Sequence, residues 1–590
     1  MVAAVVSQSY EQLLQQVADC SLDQGLQDLV DSLAAQRLQQ ASPLPGTRTS
    51  AYQAMAEALG LWRLQRCSEA YALLEPFEAD LAKDPRYWIL CGMVARRLPQ
   101  AESIALRAYR RALTLDGSRA DLHYNLANLL KDVDPPGTEQ AYLRSLRLNP
   151  AQPACWHNLG ALLHRQDRFI KARHCITTSL RLDPAAANVW CDLGNVLQAQ
   201  DRLDAAKRAF AHAIALDRSH AASHINLGAA LVQGLQPDQA LAFLQRGVEL
   251  DRSSADSLWN LALAHLQLGD FKPGWLLYDA RLHLSNARPG ERPTAGPMPA
   301  SLAECPRTGQ PPLVVWCEQG MGDAIQFIRY LALLDAAGVA FEFRCRQPLL
   351  TLFQTWTGLQ NRAVVETGQL DQADLRPQIP LLSLPRLFDT SLATVPAALP
   401  YLRPPAEPPA ELRVPQPPGG LAVGLVWASH ASNPTMYRRK SIPLDLLMPR
   451  LLDLVELDLI DLHALQCGPD EAQLDPWLGH DRITNWAPRL GDFADTAHVV
   501  QQLDLVISVD TAVAHLAGAL RRPTWLLLPH GADFRWLQHR DDTPWYPGSM
   551  RLFRQPTAGD WPGLVAQLQA ALDVLFLLDL EALSAHKLQR

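Results

Sequence analysis

Residues 156–160 read Trp-His-Asn-Leu-Gly, and residues 190–194 read Trp-Cys-Asp-Leu-Gly, 34 positions further on. The pattern returns at the same interval in residues 224–228 and 258–262, and an earlier copy occupies residues 123–127, 33 positions before its successor. Each unit carries two apolar stripes at helical spacing with a short polar break between them, which predicts a pair of helices. One pair cannot bury its own apolar face, so consecutive pairs must stack.

The period of this pattern is that of tetratricopeptide repeats. We predict a helical region over residues 1–83 and an α superhelix of repeats over residues 84–283. The Gly or Ala that closes each copy of the motif lets a neighbouring helix approach closely. The repeats stop before residues 284–311, whose Pro, Gly and Ser content predicts a linker.

The second half of the chain alternates short apolar runs with helical patterns, which is typical of a parallel α/β sheet. We predict strands at residues 313–317, 341–345, 422–427, 503–509 and 524–528, and helices at residues 324–337 and 512–520. A second Pro-rich stretch, residues 403–420, predicts a hinge between two doubly wound, Rossmann-like lobes, residues 312–402 and 421–590. Open sheets of this kind bind ligands at the carboxyl ends of their strands, so we expect a cleft there.

The composition excludes several classes of protein. Hydrophobic residues make up 48% of the chain and charged residues 19%, which is typical of a globular chain. The formal net charge of −8 argues against a dedicated nucleic-acid binder, which needs a basic face. The ten cysteines include no Cys-x-x-Cys pair, so no metal site is expected. No apolar run reaches about 18 residues and no signal peptide is recognisable, so we expect a cytoplasmic protein without a membrane span.

A glycine turn, Gly320-Met321-Gly322-Asp323, separates the strand predicted at 313–317 from the helix that follows it. Glycine residues allow a sharp turn and a close approach of the backbone to a ligand. Asp323 would then lie at the rim of the cleft, where its carboxylate could accept a proton from an acceptor hydroxyl. Two alternatives stay open: Asp323 caps the helix, or Glu318 is the base.

A second junction of strand and helix contains Asp510, Thr511 and His515. The free N–H groups and the dipole at a helix start favour an anion such as a diphosphate. Thr511 adds a hydroxyl donor, and Asp510 either binds a ribose hydroxyl or caps the helix. His515, one turn into the helix, either donates to phosphate or is packed beneath the helix.

Arg438-Arg439-Lys440 is a run of three cations in the same half of the chain. Such a run could neutralise a leaving diphosphate, or it could simply be solvated. The second half contains no Asp-x-Asp pair for a metal–diphosphate bridge, so we expect a mechanism without a metal or other cofactor. The absence of a Gly-x-x-x-x-Gly-Lys-Ser/Thr sequence excludes a P-loop ATPase.

One polar position recurs in successive repeats and is occupied by Asn125, Asn158, Asp192, Asn226 and Asn260. In tetratricopeptide geometry this position faces the concave groove. An amide offers both donors and an acceptor, so a ladder of amides can bind an extended peptide without reading its sequence. The alternative is that these side chains satisfy backbone groups between neighbouring helices.

Taken together, the repeats, residues 318–323, residues 438–443 and residues 507–516 resemble bacterial tetratricopeptide-repeat glycosyltransferases. The second half is similar to the lipopolysaccharide heptosyltransferases, which have the GT-B fold. The overall plan is similar to that of the O-linked N-acetylglucosamine transferase and of flagellin glycosyltransferases, whose repeats hold a protein acceptor.

This resemblance implies a general base at Asp323 and a phosphate contact near Lys440. The residues expected to bind the donor are Gly320, Gly322, Arg438, Lys440, Asp510, Thr511 and His515. The sequence departs from the family at Ala512, where a glycine is usual, so the sugar preference of the family does not transfer.

We therefore expect a hexosyl- or related sugar transferase that moves a sugar from a nucleotide diphosphate sugar to a hydroxyl. The expected acceptor is a protein or peptide held in the repeat groove, and the expected reaction inverts the anomeric carbon. Two alternatives remain: a repeat scaffold for protein–protein interaction whose second half does not catalyse, and a transferase that acts on a glycan or lipid.

Overall fold

The computed structural model describes residues 48–284, 296–354, 364–366, 374–405, 407–415, 420–431 and 434–587. Much of the predicted N-terminal region, part of the linker and part of the hinge therefore lie outside the described residues. The chain divides into two compact units, Met1–Arg218 and Ser219–Arg590.

The unit Met1–Arg218 is helical throughout its described part. Its helices are α1 (Arg48–Arg63), α2 (Cys67–Leu74), α3 (Pro85–Ala95), α4 (Glu102–Leu115), α5 (Ala120–Leu130), α6 (Pro135–Leu148), α7 (Pro153–Arg165), α8 (Phe169–Leu182), α9 (Ala187–Ala199) and α10 (Leu203–Leu216). From α3 onward these helices form the pairs that the 34-residue period predicts, with the first helix of each pair packed on the second.

Local sequence explains where each repeat helix ends. The polar break between the two helices of a pair contains Asp167 in one repeat and Asp201 in the next, both at φ 57°, a left-handed conformation that Asp tolerates better than most residues. The second helix ends at Asn149 or Asp183, where the backbone becomes extended and the N–H still donates to the carbonyl four residues earlier. These turns set the helical hairpin.

The glycine that closes the repeat motif is required by packing between paired helices. A Cβ placed on Gly194 would lie 2.3 Å from Cε1 of Phe210 on the partner helix α10. Phe210 is fully buried at that point, so it has no room to move aside. The expectation that this position permits a close helix approach is confirmed.

The unit Ser219–Arg590 contains two further helix pairs and then an α/β region. Its helices are α11 (Ala221–Gln233), α12 (Pro237–Leu250), α13 (Ala255–Gln267), α14 (Phe271–Tyr278), α15 (Met321–Phe327), α16 (Tyr330–Ala336), α17 (Gln347–Gln354), α18 (Leu384–Leu387), α19 (Pro434–Lys440), α20 (Leu444–Glu456), α21 (Phe493–Gln501), α22 (Ala512–Ala519) and α23 (Trp561–Lys587). Its strands are β1 (Leu313–Trp316), β2 (Phe341–Cys345), β3 (Val364–Glu366), β4 (Gln378–Pro380), β5 (Leu421–Val426), β6 (Ile460–Ala464), β7 (Ile483–Asn485), β8 (Leu505–Val509), β9 (Thr524–Leu528) and β10 (Met550–Arg554).

The strands form two sheets, in the orders β3-β2-β1-β4 and β10-β9-β8-β5-β6-β7. The strand pairs of both sheets are parallel, as the alternation of apolar runs and helical patterns predicts. In both β1 and β8 every residue is buried, which is why these runs are continuously apolar rather than alternating. Strand β1 leads into the glycine turn and α15, and β8 leads into Thr511 and α22. The two predicted sites therefore lie at the carboxyl ends of these strands.

The last helix pair shares one hydrophobic core with the α/β region. Trp275 of α14 lies with its ring 5.7 Å from both Phe327 of α15 and Phe534, and Phe271 stacks on Trp545 at 6.1 Å. Aromatic pairs at such distances stabilise beyond the area they bury. Helix α14 is therefore an integral part of this unit.

No helix in the described ranges combines the length and the apolar character that crossing a bilayer requires.

We expect Gly194→Ala to lower the free energy of unfolding of the repeats by about 1–3 kcal/mol, because the added methyl overlaps Phe210. Gly60→Ala is the matched control, since Gly60 also lies in a helix of this unit and a Cβ there meets nothing within 4 Å. The control should keep or raise stability by up to about 1 kcal/mol. Urea unfolding followed by far-ultraviolet circular dichroism measures both, and equal midpoints would contradict the close approach.

Candidate functional site

The starts of α15 and α22 lie directly against each other. A Cβ placed on Gly322 of α15 would lie 3.3 Å from Cα of Ala512 and 2.9 Å from Cδ2 of His515, both in α22. Only a glycine therefore lets the two helix starts approach this closely. The turn that carries Asp323 and the helix start at Thr511, which the sequence predicts to share a cleft, are neighbours in the structure.

Asp323 is held at both of its carboxylate oxygens. Oδ2 accepts a hydrogen bond of 2.9 Å from the backbone N–H of Gly320. Asp323 therefore caps its own helix, which is one of the alternatives given for it in the sequence analysis. Oδ1 accepts a hydrogen bond from Nη2 of Arg535 in an ion pair. The Asp323 side chain remains 20% exposed, which leaves it accessible to a bound molecule.

Arg535 is a further residue of the candidate site, and the sequence alone does not predict it. It lies in a short 3₁₀ turn, Phe534–Trp536, and its side chain is 8% exposed. Besides Asp323, its guanidinium donates to Oδ1 of Asp533 at 2.7 Å and to Oε1 of Gln326 at 2.8 Å. Burial lowers the pKa of Arg535, but the carboxylates of Asp533 and Asp323 outweigh burial, and the pKa is raised above its ordinary value.

Lys440 and Asp510 form the second ion pair at the site. Nζ of Lys440 lies 2.6 Å from Oδ2 of Asp510, whose side chain is 7% exposed. Burial alone would raise the pKa of Asp510 and lower that of Lys440, but their mutual attraction reverses both shifts, so both groups are charged at neutral pH. The structure thus brings two of the predicted donor-binding residues together beside the start of α22.

The three cations of the predicted basic run have different surroundings. Arg438 is exposed. Arg439 donates to the backbone carbonyl of Gly531 at 3.2 Å, and Lys440 forms the ion pair with Asp510. The run is therefore not one continuous solvated patch, because its last member is drawn into the site.

The start of α22 has the features of an anion site that the sequence predicts. Thr511 is the residue before the helix, and its side chain makes no capping hydrogen bond to the helix N–H groups. Its Oγ1 lies 3.1 Å from Oγ of Ser508. Thr511 and Ala512 are half-buried, so the first N–H groups of the helix are close to solvent and suited to an anion.

His515 is packed beneath α22. Nδ1 lies 2.8 Å from the hydroxyl of Tyr546, and the ring stacks on Trp536 at 5.3 Å. Nε2 is 4.0 Å from Oδ1 of Asp510, beyond hydrogen-bond range. Burial lowers the pKa of His515 to about 3, so the imidazole is neutral at physiological pH. Of the two alternatives for His515, this placement favours a histidine packed beneath the helix over one that donates to a phosphate.

Glu318, the alternative base, is engaged in a buried ion pair. Its Oε1 lies 2.6 Å from Nη2 of Arg281, which follows α14, and it also accepts a 3.3 Å hydrogen bond from the N–H of Leu382. The Glu318 side chain is 2% exposed. Glu318 thus connects the end of the helix pairs to the first sheet, and Asp323 is the more accessible carboxylate.

In the unit Met1–Arg218, the recurring polar residues of the repeats reach back to the preceding repeat. Oδ1 of Asn125 accepts from Arg96 at 3.2 Å. The amide of Asn158 donates to Tyr124 and Asn128, and Asp192 lies 2.6 Å from Nε2 of His157. These contacts support the alternative in which the side chains join neighbouring helices. All three residues are nevertheless half-buried, with surface left to contact a ligand.

In the unit Ser219–Arg590, Asn226 and Asn260 are half-buried as well. The amide of Asn260 donates to the carbonyl of Asp256 in its own helix at 2.8 Å. No group of three or more His, Cys, Asp or Glu side chains within the described parts of the chain is arranged to hold a metal ion.

Comparison with known proteins adds to this geometry. Residues 465–527 match the model of glycosyltransferase family 9 (heptosyltransferase), and residues 141–174 and 187–220 match tetratricopeptide repeat models. The chain combines tetratricopeptide repeats with a glycosyltransferase family 9 domain. The transferase match contains Asp510, Thr511 and His515, so the helix start of α22 lies within it.

Individual relatives are more distant. Protein FlbA of Caulobacter vibrioides is 26% identical over 340 residues, which cover 52% of this chain and 53% of FlbA. The chain thus spans about half the length of the curated relative it matches. Among solved structures, YrrB, a TPR protein with an unusual peptide-binding site, is 20% identical over 30% of this chain and 91% of its own, with a TM-score of 0.27. PilF of Pseudomonas aeruginosa is 23% identical over 34% of this chain and 96% of its own, with a TM-score of 0.28.

The depressed pKa of His515 predicts a pH dependence of stability. The folded protein keeps this imidazole neutral down to about pH 3, whereas an unfolded histidine binds a proton below about pH 6.5. The stability that it contributes is therefore complete above pH 6.5 and is lost as the pH falls from 6.5 towards 3. Urea midpoints of the wild type should fall more steeply over that range than those of His515→Gln, which cannot titrate. Parallel curves would contradict a neutral, buried His515.

Proposed function

We propose that the chain transfers a sugar from a nucleotide diphosphate sugar to a hydroxyl group and that its two sheets form the two lobes of a GT-B fold. The glycosyltransferase family 9 domain supports the reaction class. The observation that carries the detailed proposal is the contact between the Asp323 turn and the start of α22 with its Lys440–Asp510 pair. The Asp323 carboxylate thereby lies beside the start of α22, which is suited to binding an anion.

In the proposed reaction, Asp323 takes the proton of the acceptor hydroxyl as its oxygen attacks the anomeric carbon. The new carbon–oxygen bond forms as the bond from that carbon to the diphosphate breaks, and the diphosphate leaves with the electron pair. Direct displacement inverts the anomeric carbon. The negative charge that develops on the diphosphate is met by Lys440 and by the N–H groups and hydroxyl at the start of α22.

This chemistry needs no metal, because a half-buried cation and a helix start supply the positive charge that a metal would otherwise provide. Lys440 is held by Asp510, so it is oriented before the donor binds. His515 supports the same helix from beneath through Tyr546 and Trp536 rather than by carrying charge.

We further propose that the acceptor is a protein or peptide bound by the repeats in the cytoplasm. Tetratricopeptide repeats are typical protein-binding modules, and half-buried amides recur along the first helices of the repeats. Holding the acceptor on the same chain raises its effective concentration at the site. The group that we propose is transferred is a hexosyl or related sugar.

The central test is Asp323→Ala, assayed with a panel of nucleotide diphosphate sugars that differ in base and sugar. We expect transfer and donor hydrolysis to fall about 100- to 10,000-fold, the usual contribution of a general base. Binding of the matching nucleoside diphosphate should persist, because Asp323 does not contact Lys440. Unchanged turnover would remove Asp323 from the mechanism. A wild type that binds and turns over no donor would instead favour the repeat scaffold.

A second test compares Lys440→Met with Arg438→Met. We expect Lys440→Met to weaken binding of nucleoside diphosphates about 10- to 100-fold, which corresponds to the loss of a charge-assisted hydrogen bond of about 1.5–3 kcal/mol. Arg438→Met removes an exposed cation two residues away and should have a much smaller effect. Isothermal titration with UDP, GDP and ADP measures both variants. An equal loss of affinity in the two variants would argue for a diffuse basic surface instead of a single contact at Lys440.

A further inference from the structure

Arg535, the cation that contacts Asp323, is fixed on several sides. Three side chains hold its guanidinium: Asp533 through Nη1, Gln326 through Nε and Asp323 through Nη2. Its carbon centre also lies 4.8 Å from the ring of Phe534 and 5.7 Å from the ring of Phe327. A planar group held on three edges and packed between aromatic rings has little freedom to rotate.

The partners of Arg535 belong to different parts of the fold. Asp533 lies in the segment that follows β9 of the second sheet, whereas Asp323 and Gln326 both lie on α15, directly after β1 of the first sheet. The guanidinium therefore bridges the segment after one sheet and the helix after the other. Asp323 and Gln326 are three residues apart, so they present their oxygens from the same face of α15.

The segment that carries Arg535 is itself supported by the last helix pair. The ring of Phe534 lies 5.7 Å from Trp275 and 5.8 Å from Tyr278, both on α14. Trp536, on the other side of Arg535, is fully buried against His515. Because both neighbours of Arg535 are anchored in the core, the position of its guanidinium is set by packing as well as by its hydrogen bonds.

We propose that Arg535 is the positioning residue for the base: it fixes the Asp323 carboxylate so that a free lone pair faces the acceptor hydroxyl. The proposal rests on the proposed function of Asp323. One oxygen of Asp323 is held by the N–H of Gly320 and the other by Arg535, so rotation about the carboxylate bond is blocked. Each carboxylate oxygen has a second lone pair, which remains for the proton of the acceptor.

Asp533 completes the arrangement by holding Arg535 from the opposite side. Its Oδ1 accepts from Nη1 of Arg535 at 2.7 Å and from the backbone N–H of Arg535 at 3.1 Å. Two carboxylates thus share one buried guanidinium, and loss of the cation would leave both without their partner. Arg535 acts on the reaction through Asp323 and makes no contact with substrate in this proposal.

The first arm of the test needs no substrate. Thermal midpoints of Arg535→Met, Asp323→Asn and the double variant form a mutant cycle. We expect the loss of stability in the double variant to be smaller than the sum of the two single losses, because each single change leaves a charged or polar partner unmatched. Additive losses would show that the two side chains are not coupled and would overturn the proposal.

The second arm measures transfer with the donor that the nucleotide-sugar panel identifies. We expect Arg535→Met to lower kcat about 100-fold, the cost of misplacing a catalytic group by about 1 Å, while the KM for the donor stays unchanged. Arg535→Lys should recover part of kcat, since a cation near Asp323 is restored. Asp533→Asn, which loosens Arg535 without removing it, should lower kcat less than Arg535→Met.

Arg540→Met is the matched control, because Arg540 lies in the same segment in a more exposed ion pair with Asp542. It should keep the kcat of the wild type. A kcat for Arg535→Met equal to that of this control overturns the positioning role even where Asp323→Ala is inactive. If Asp323→Ala keeps full turnover, the proposed function of Asp323 fails first, and an intact coupling in the mutant cycle then marks the pair as purely structural.

Discussion

The contact between the starts of α15 and α22 is the constraint on which the site depends. A Cβ at Gly322 would overlap the ring of His515 and crowd Ala512, so glycine at this position lets the two helices approach this closely. The approach brings together the ends of β1 and β8, strands that belong to different sheets. As a result, a carboxylate from one sheet and a helix start from the other lie beside each other without any long loop to carry them.

Buried charge is concentrated around this contact. The ion pairs Asp323–Arg535, Lys440–Asp510 and Glu318–Arg281 all lie within one unit, and the last is the most completely withdrawn from water. Pairs of this kind add little net stability, because the cost of removing two charges from water offsets their attraction. Their main effect around the contact is to orient charge rather than to add stability.

The sequence was sufficient for the elements that have a strong local signal. The strands expected at 341–345 and 524–528 have those bounds in the structure. The helix expected at 324–337 instead begins at Met321 and divides after Phe327. It begins early because Asp323 accepts from the N–H of Gly320, and it divides near Arg329, whose guanidinium donates to the carbonyl of Gln326. Hydrogen bonds of this kind, between a side chain and the backbone, cannot be predicted from the spacing of apolar residues.

The candidate site could be predicted only in part. The glycine turn and the helix start are local patterns, so the sequence predicts Asp323, Asp510 and Thr511 as candidates. The sequence does not predict Arg535, because it lies in an irregular segment more than two hundred residues from Asp323 and no motif marks it. The sequence leaves the role of His515 open for a related reason. Whether this histidine is buried depends on Trp536 and Tyr546, which pack against it from a later part of the chain.

The shared core of α14 has a consequence for protein engineering. Although Phe271, Trp275 and Tyr278 belong to the repeat pattern, they are buried with β1, α15 and α22 in one cluster. A chimaera that exchanges the entire array up to the linker would remove these three aromatic rings from the cluster. A replacement array is better joined ahead of α11, so that α11 to α14 are kept together with the α/β region against which they pack.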